Sequence, residues 1–340
     1  MYNILTKISY IMPRNYKSTP FMDELNEKMV EYGLAETSRF HYLRNIELLN
    51  NENPIHNLQF LLDDEEMERK MAHLKPNSKR VYYTSIHSSL KLTYPIPETE
   101  VYNKIDLYHE RLLSVARSQD KTKNKKTKVQ EDNWVDWSDI LDEWDSMNDC
   151  FSKIKAIGSI TQEYQYTFLL HFVILTLYVK LLPRRNMDYL DMVISKRRPT
   201  PLADGTNYLI LDEKKFIFQK FKTFKHFGIQ EVNIPDDVMD IFWFYINQRK
   251  TDGLIPTLGL DLKKGKTFPF LLYVNGGGFV KGNAITRCLN RIFAPKRIGC
   301  AMLRTIYATD TLLAEQEKNK IIAEGMGHSV STQQNIYVKH

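Results

Sequence analysis

The chain reads as a mainly α-helical protein with a small antiparallel β-sheet, divided into an N-terminal helical domain and a C-terminal α+β domain. Three observations predict this. Apolar residues recur at three- and four-residue spacing over most of the 340 residues, whereas short alternating runs are concentrated after Tyr208. A lysine run, K-T-K-N-K-K-T-K, separates two stretches that each hold enough apolar residues for a core.

The N-terminal part opens with Thr19-Pro20, a cap followed by proline in the first turn. Phe21, Leu25, Met29 and Tyr32 then share one face until Gly33 stops the helix. A second helix starts near Thr37 or Ser38, carries Phe40, Leu43 and Ile46 to Leu49, and ends at Asn50-Asn51 before Pro54. A short acidic helix spans Asp63 to Ala72, and a fourth follows Pro76-Asn77-Ser78 with Val81, Tyr82, Ile86 and Leu90 on its apolar face. Four short helices predict a small bundle, with a basic face that binds phosphates or is simply solvated. The boundaries are an extension over 1–18, the helical domain over 19–118, a basic linker over 119–132 and the second domain over 133–340. Lys121, Lys123, Lys125, Lys126 and Lys128 repel one another, so the linker is expected to be extended and is a candidate DNA contact.

In the second domain Trp134, Trp137, Ile140, Leu141, Trp144 and Met147 form an apolar stripe on an otherwise acidic helix, read as core in preference to a partner-docking face. Gln162 to Leu182 is apolar all round and therefore internal. Alternating runs from Tyr208 predict the sheet, with a lysine-rich tip at Lys220, Lys222 and Lys225. Two more helices follow, Asp236 to Gln248 and Lys281 to Phe293, the latter carrying Arg287 and Arg291 as candidate phosphate contacts.

Composition excludes some classes. Lys and Arg exceed Asp and Glu by enough for a formal charge of +6, which is compatible with a nucleic-acid partner without establishing one. The three cysteines are scattered and odd in number, against a disulfide framework and for a reducing compartment. The most apolar stretch, Phe168 to Leu182, is too short to span a bilayer, and the N-terminus has no secretory pattern, so no membrane partner is expected. Val274 to Phe279 is glycine-rich but lacks the G-K-[ST] ending of a phosphate loop.

The chemistry is concentrated near the C-terminus. A phosphodiester is an anion whose charge must be matched before a weak nucleophile attacks it. Arg304 offers a planar fork of donors that suits two phosphate oxygens, and His328 offers another donor near neutral pH. Tyr337 is the candidate nucleophile. Its phenol, with an ordinary pKa near about 10, attacks only where cations stabilise the phenolate as it forms.

The order L-R-T-I-Y-A-T, then M-G-H-S with Tyr337 nine positions after His328, resembles the tyrosine recombinase (phage integrase) family. The resemblance is good over 162–340 and loose before it. It implies an N-terminal core-binding domain that grips DNA, a C-terminal catalytic domain, and a strand-exchange enzyme working through a 3′-phosphotyrosine. In L-L-P-R-R-N-M-D-Y-L-D-M-V-I it places Arg185 at the first catalytic arginine, with Arg184 as the alternative register, and Asp188 at a supporting acid. Lys222, in F-K-T-F-K, matches the family's lysine, a general acid for the leaving 5′-oxygen; Lys220 and Lys225 are one slip away. No metal or other cofactor is implied. The implied partners are double-stranded DNA and three further copies of the chain, a homotetramer on two sites inside the cell.

Three features depart from the family pattern. Pro183 occupies the usual glycine region, Ala301 stands where many members have His or Lys three residues before the second arginine, and only Val338, Lys339 and His340 follow Tyr337. The last two keep a DNA-binding protein without catalysis in view; the other alternative, a type IB topoisomerase-like relaxing enzyme, uses the same tyrosine attack but religates the same strand.

Overall fold

The structure is a computed structural model that describes residues 16–120, 125–158, 160, 162–248, 267–272 and 280–325. It divides into two compact units, Met1–Lys125 and Lys126–His340. Mainly helical, it carries one small mixed sheet.

In the first unit, α1 (Pro20–Glu31) starts as its sequence predicts, with the Thr19 hydroxyl accepting from the Met22 amide. That hydroxyl also donates to the Ile55 carbonyl, which ties the cap to a distant loop. α2 (Glu36–Leu49), α3 (Asp64–Met71, capped by Asp63) and α4 (Pro76–Thr93) follow the expected order. The bundle has a further member, α5 (Thr99–Asp120). Its Val101, Ile105 and Tyr108 lie in the core with Leu43, Ile46, Met67, Ile86 and Leu90. The four-helix expectation is therefore corrected to five among the described residues, with a 3₁₀ turn at Gln59–Leu62. The helix was legible: Val101, Ile105, Tyr108, Leu112 and Val115 repeat at helical spacing after Pro97.

α5 is fastened to α3 by charge. Asp64 takes Lys104 and Arg111, the latter at 2.7 Å, and Arg111 reaches Glu68 at 3.3 Å. The Tyr108 hydroxyl donates to the Leu61 carbonyl inside the core.

The expected linker over 119–132 is also corrected. Its first two residues end α5, and Lys128 opens α6 (Lys128–Asn133), which has a reciprocal capping box between Thr127 and Gln130. α6 belongs to the second unit, because the Asp132 carbonyl accepts from Lys296 and Asn133 Oδ1 accepts from the Arg297 amide.

That unit is built around α8 (Glu163–Val179), whose Leu169, Phe172, Val173, Leu175 and Leu177 are wholly enclosed. α7 (Trp137–Ile157) lays its stripe on it. Trp144 is buried, and its indole N–H donates to the Thr176 hydroxyl at 3.0 Å, while Trp134 and Trp137 pack half-buried against the same core. α11 (Asp236–Asn247) and α12 (Ala284–Ile292) complete the helical layer. None of the described helices is long and apolar enough to cross a membrane.

The sheet is mixed, where an antiparallel one was expected. Strands β1 (Val193–Ser195), β2 (Tyr208–Ile210), β3 (Lys215–Phe218), β4 (Gln230–Asn233) and β5 (Thr267–Pro269) stand in the order β4-β3-β2-β1-β5. β1 and β2 run parallel, with Ile194 opposite Leu209; the other pairs are antiparallel. The physical reason is the connection 196–207, long enough to carry the chain back to the end from which β1 began. Alternation along the strands sends Leu209, Phe216 and Phe218 into the main core and Tyr208, Ile210 and Ile217 into a smaller cluster on the other face.

Val274 to Phe279 lies outside the described residues. The last described helix, α13, runs unbroken over Cys300–Gly325.

Candidate functional site

Two elements distant in sequence meet at one cleft. The first is the turn from α8 into α9 (Asn186–Tyr189), a single helical turn. It is pinned by Tyr189, which is buried edge-on against Tyr178, Phe216 and Phe218. The second is the start of α13, where Leu303 and Ile306 are buried and Arg304 stands half-buried between them. Arg304 Nε donates to the Pro183 carbonyl at 3.1 Å, joining positions 121 residues apart. The acceptor is the backbone carbonyl of Pro183, so it does not depend on the side chain at that position.

Gly299 sets how closely α13 approaches α12. A Cβ there would stand 2.7 Å from Cγ2 of Thr286, inside the contact distance of real side chains. Without a Cβ at 299 the Thr286 side chain fits against this turn unshifted.

The cleft is lined by Pro183, Arg184, Arg185, Asp188, Gln230 and Arg304, with Phe221, Thr223 and Phe227 along one rim. Its volume is about 250 Å³, room for a phosphoryl group and its hydration, since a water takes about 30 Å³ in the liquid. Three guanidinium groups face one carboxylate. The balance favours an anion.

The neighbouring arginines do different work. Arg184 is engaged within this chain: Nε donates to Asp188 Oδ2 at 2.9 Å, Nη1 donates to Gln230 Oε1 at 2.8 Å, and the guanidinium lies 3.9 Å over the Phe218 ring. The Arg185 guanidinium makes no hydrogen bond or ion pair among the described residues, and neither do the Nη nitrogens of Arg304. Of the two registers open in the sequence, Arg185 is the arginine left free for a ligand.

Asp188 is almost fully enclosed, and its Oδ1 has no hydrogen-bond partner among the described residues. Burial pushes its carboxyl above the usual range, against the downward pull of Arg184, Arg185 and Arg304. Beneath it, Asn207 spends its whole amide. Nδ2 donates to the carbonyls of Asp188 and Lys220 at 2.8 and 2.9 Å, and Oδ1 accepts from the Gln219 and Lys220 amides, both at 2.8 Å. This buried brace fixes the outgoing end of β3 to the arginine turn. Neither Asn207 nor Gln230 carries a signal in the sequence that sets it apart from other polar residues.

The other candidates are less gathered. Lys222 is exposed at the tip between β3 and β4; its neighbours Phe221 and Thr223 line the cleft and its own side chain does not. Lys220 pairs loosely with Asp191 at 3.8 Å, and Lys225 is exposed on α10 (Phe224–Phe227). Arg287 and Arg291 stand one turn apart on the exposed face of α12 and are not part of the cleft lining. Ala301 is exposed one turn before Arg304.

Lys125, Lys126 and Lys128 are exposed, but the Lys126 ammonium sits 3.6 Å from the Trp134 ring centroid and is partly engaged there. Lys121, Lys123, His328 and Tyr337 lie outside the described residues. Compared with known proteins, the chain matches no protein-family model, no curated protein and no solved structure.

Proposed function

We propose that the chain is a DNA strand-breaking and rejoining enzyme of the tyrosine-recombinase kind, with double-stranded DNA as substrate and a homotetramer on two sites as its working assembly. In this reading the first unit is the core-binding domain and the second is catalytic. The observation that carries it is the convergence of Arg185 and Arg304, both with donors to spare, on a cleft sized for a phosphoryl group.

Preorganised guanidinium groups act most strongly on charge that develops in the transition state. The Tyr337 phenol passes its proton to solvent water as its oxygen bonds to phosphorus, and the bond to the 5′-oxygen breaks. Arg185, Arg304 and His328 match the charge on the non-bridging oxygens, and the 5′-oxygen takes a proton from Lys222. The phosphotyrosine keeps the energy of the phosphodiester, so a 5′-hydroxyl of the partner strand reverses the step without another energy source. Asp188 and Gln230 act through Arg184, which holds the floor of the cleft.

The test is a nicked suicide duplex carrying a candidate element end, resolved by denaturing electrophoresis. Wild-type protein is expected to give a covalent protein–DNA band that disappears in Tyr337→Phe and forms about 10²-fold more slowly in Arg304→Ala. No covalent band on DNA that the protein demonstrably binds refutes the catalytic reading.

A further inference from the structure

The tip between β3 and β4 leaves aromatic side chains in water beside the arginine cleft. Phe227 is 66% exposed and Ile229 52%, while Phe224 is 36% exposed and meets the Phe221 ring edge-on at 5.8 Å. A chain that buries Phe216, Phe218, Phe242 and Phe270 completely has the means to enclose such rings. Three apolar side chains left out within six residues, one of them, Phe227, in the lining of a polar cleft, mark a contact surface.

The tip is also built. The Phe224 amide donates to the Phe221 carbonyl, the His226 and Phe227 amides donate to the Thr223 carbonyl, and the Gly228 amide donates to the Phe224 carbonyl. Gly228 turns the chain back toward β4 at φ 63°, ψ −157°, a conformation reserved for glycine. Exposed Lys222, Lys225 and His226 alternate with the rings.

From this arrangement we infer that the tip is a stacking site for an unpaired base, with Phe227 as its platform, adjoining the phosphate held in the cleft. The inference rests on the proposed DNA reading and adds a ligand to it. Phe227 and Phe221 line the same cleft as Arg185 and Arg304. A base hangs one sugar away from its phosphate, so a ring on the rim meets the base of a nucleotide whose phosphate is bound inside. Aromatic rings hold single bases by stacking with little regard to sequence, and interleaved cations follow the backbone. The site therefore favours DNA in which a base beside the bound phosphate is out of the stack.

Fluorescence anisotropy with the full chain tests this on two short duplexes of one sequence, one fully paired and one with a single bulged adenine. Wild-type protein is expected to prefer the bulged duplex by about tenfold. Phe227→Ala should bring the two affinities together, and Phe227→Trp should keep the preference. Equal wild-type affinities, or a preference that survives Phe227→Ala, overturns the stacking site. If binding is present and weakened by Arg185→Ala or Arg304→Ala, that failure is confined to the stacking site. If the protein binds neither duplex, or binds both independently of the arginines, the DNA reading falls and the stacking site with it.

Discussion

Asn207→Ala is the substitution that best tests how the cleft is held. The side chain is 2% exposed and makes four hydrogen bonds, to the Asp188 carbonyl, the Lys220 carbonyl, and the Gln219 and Lys220 amides. Truncation leaves the Asp188 carbonyl without this donor in a buried place, at a cost of about 1–3 kcal/mol. The other three partners are only part-buried, and water repairs most of their loss. The total should be about 2–4 kcal/mol, felt mainly where β3 meets the arginine turn.

Amide hydrogen exchange reads this locally, which matters in a chain of two units whose global unfolding need not be two-state. At about 1.4 kcal/mol per decade, exchange at Gln219 and Lys220 should quicken by at least about thirtyfold, while α8 stays protected. Asn207→Asp keeps the acceptor and loses both donated bonds, so its effect should concentrate at the Asp188 side. Exchange at Gln219 and Lys220 within about twofold of wild type in Asn207→Ala would refute the brace. A rise shared equally by α8 would show general loosening instead.

Two further outcomes follow from the same geometry. Gly299→Ala places a methyl group against Cγ2 of Thr286 and should destabilise the second unit by about 1–3 kcal/mol, less the few tenths returned by a stiffer unfolded chain. Thr286→Ser removes Cγ2, so the double variant should recover most of the loss in a thermal-melt cycle; additive effects would place the strain elsewhere. In the first unit, the Asp64 carboxyl is held below its ordinary pKa chiefly by the Lys104 hydrogen bond, with burial opposing and Arg111 assisting. A carboxyl lowered in the folded state contributes stability above its unfolded pKa of about 3.9 and loses it as pH falls through the folded value. Acid unfolding monitored by circular dichroism should therefore be steeper below about pH 4 in wild type than in Asp64→Asn, and identical profiles would exclude this pair as a source.

Much of the helical framework was legible because its causes are local. Thr19-Pro20 announces α1, Ile140, Trp144 and Met147 announce the buried face of α7, although Trp134 precedes that helix and Leu141 is exposed, and the unbroken apolar run of α8 can only be internal. α5 is equally legible from the spacing of Val101, Ile105, Tyr108, Leu112 and Val115. Arg304, Arg185 and Asp188 were singled out as residue types in a recognisable order, and the fold brings those three together. Lys222 shows the limit of such reading, for its place at an exposed tip whose Phe221 and Thr223 line the cleft, while its own side chain is not among the lining residues, is nothing that spacing states.

What composition and periodicity determined is where helices lie, which faces are apolar and which residue types are available for phosphate chemistry. Tertiary structure decided the rest. Strands of three or four residues are too short for alternation to state their partners, so the parallel pairing of β1 with β2 emerges only when the connection between them closes. Adjacent Arg184 and Arg185 are indistinguishable as letters. Phe218, Asp188 and Gln230, gathered from three elements, capture one guanidinium and leave the other free. That division depends on contacts between residues as far as 46 positions apart, which no local pattern encodes.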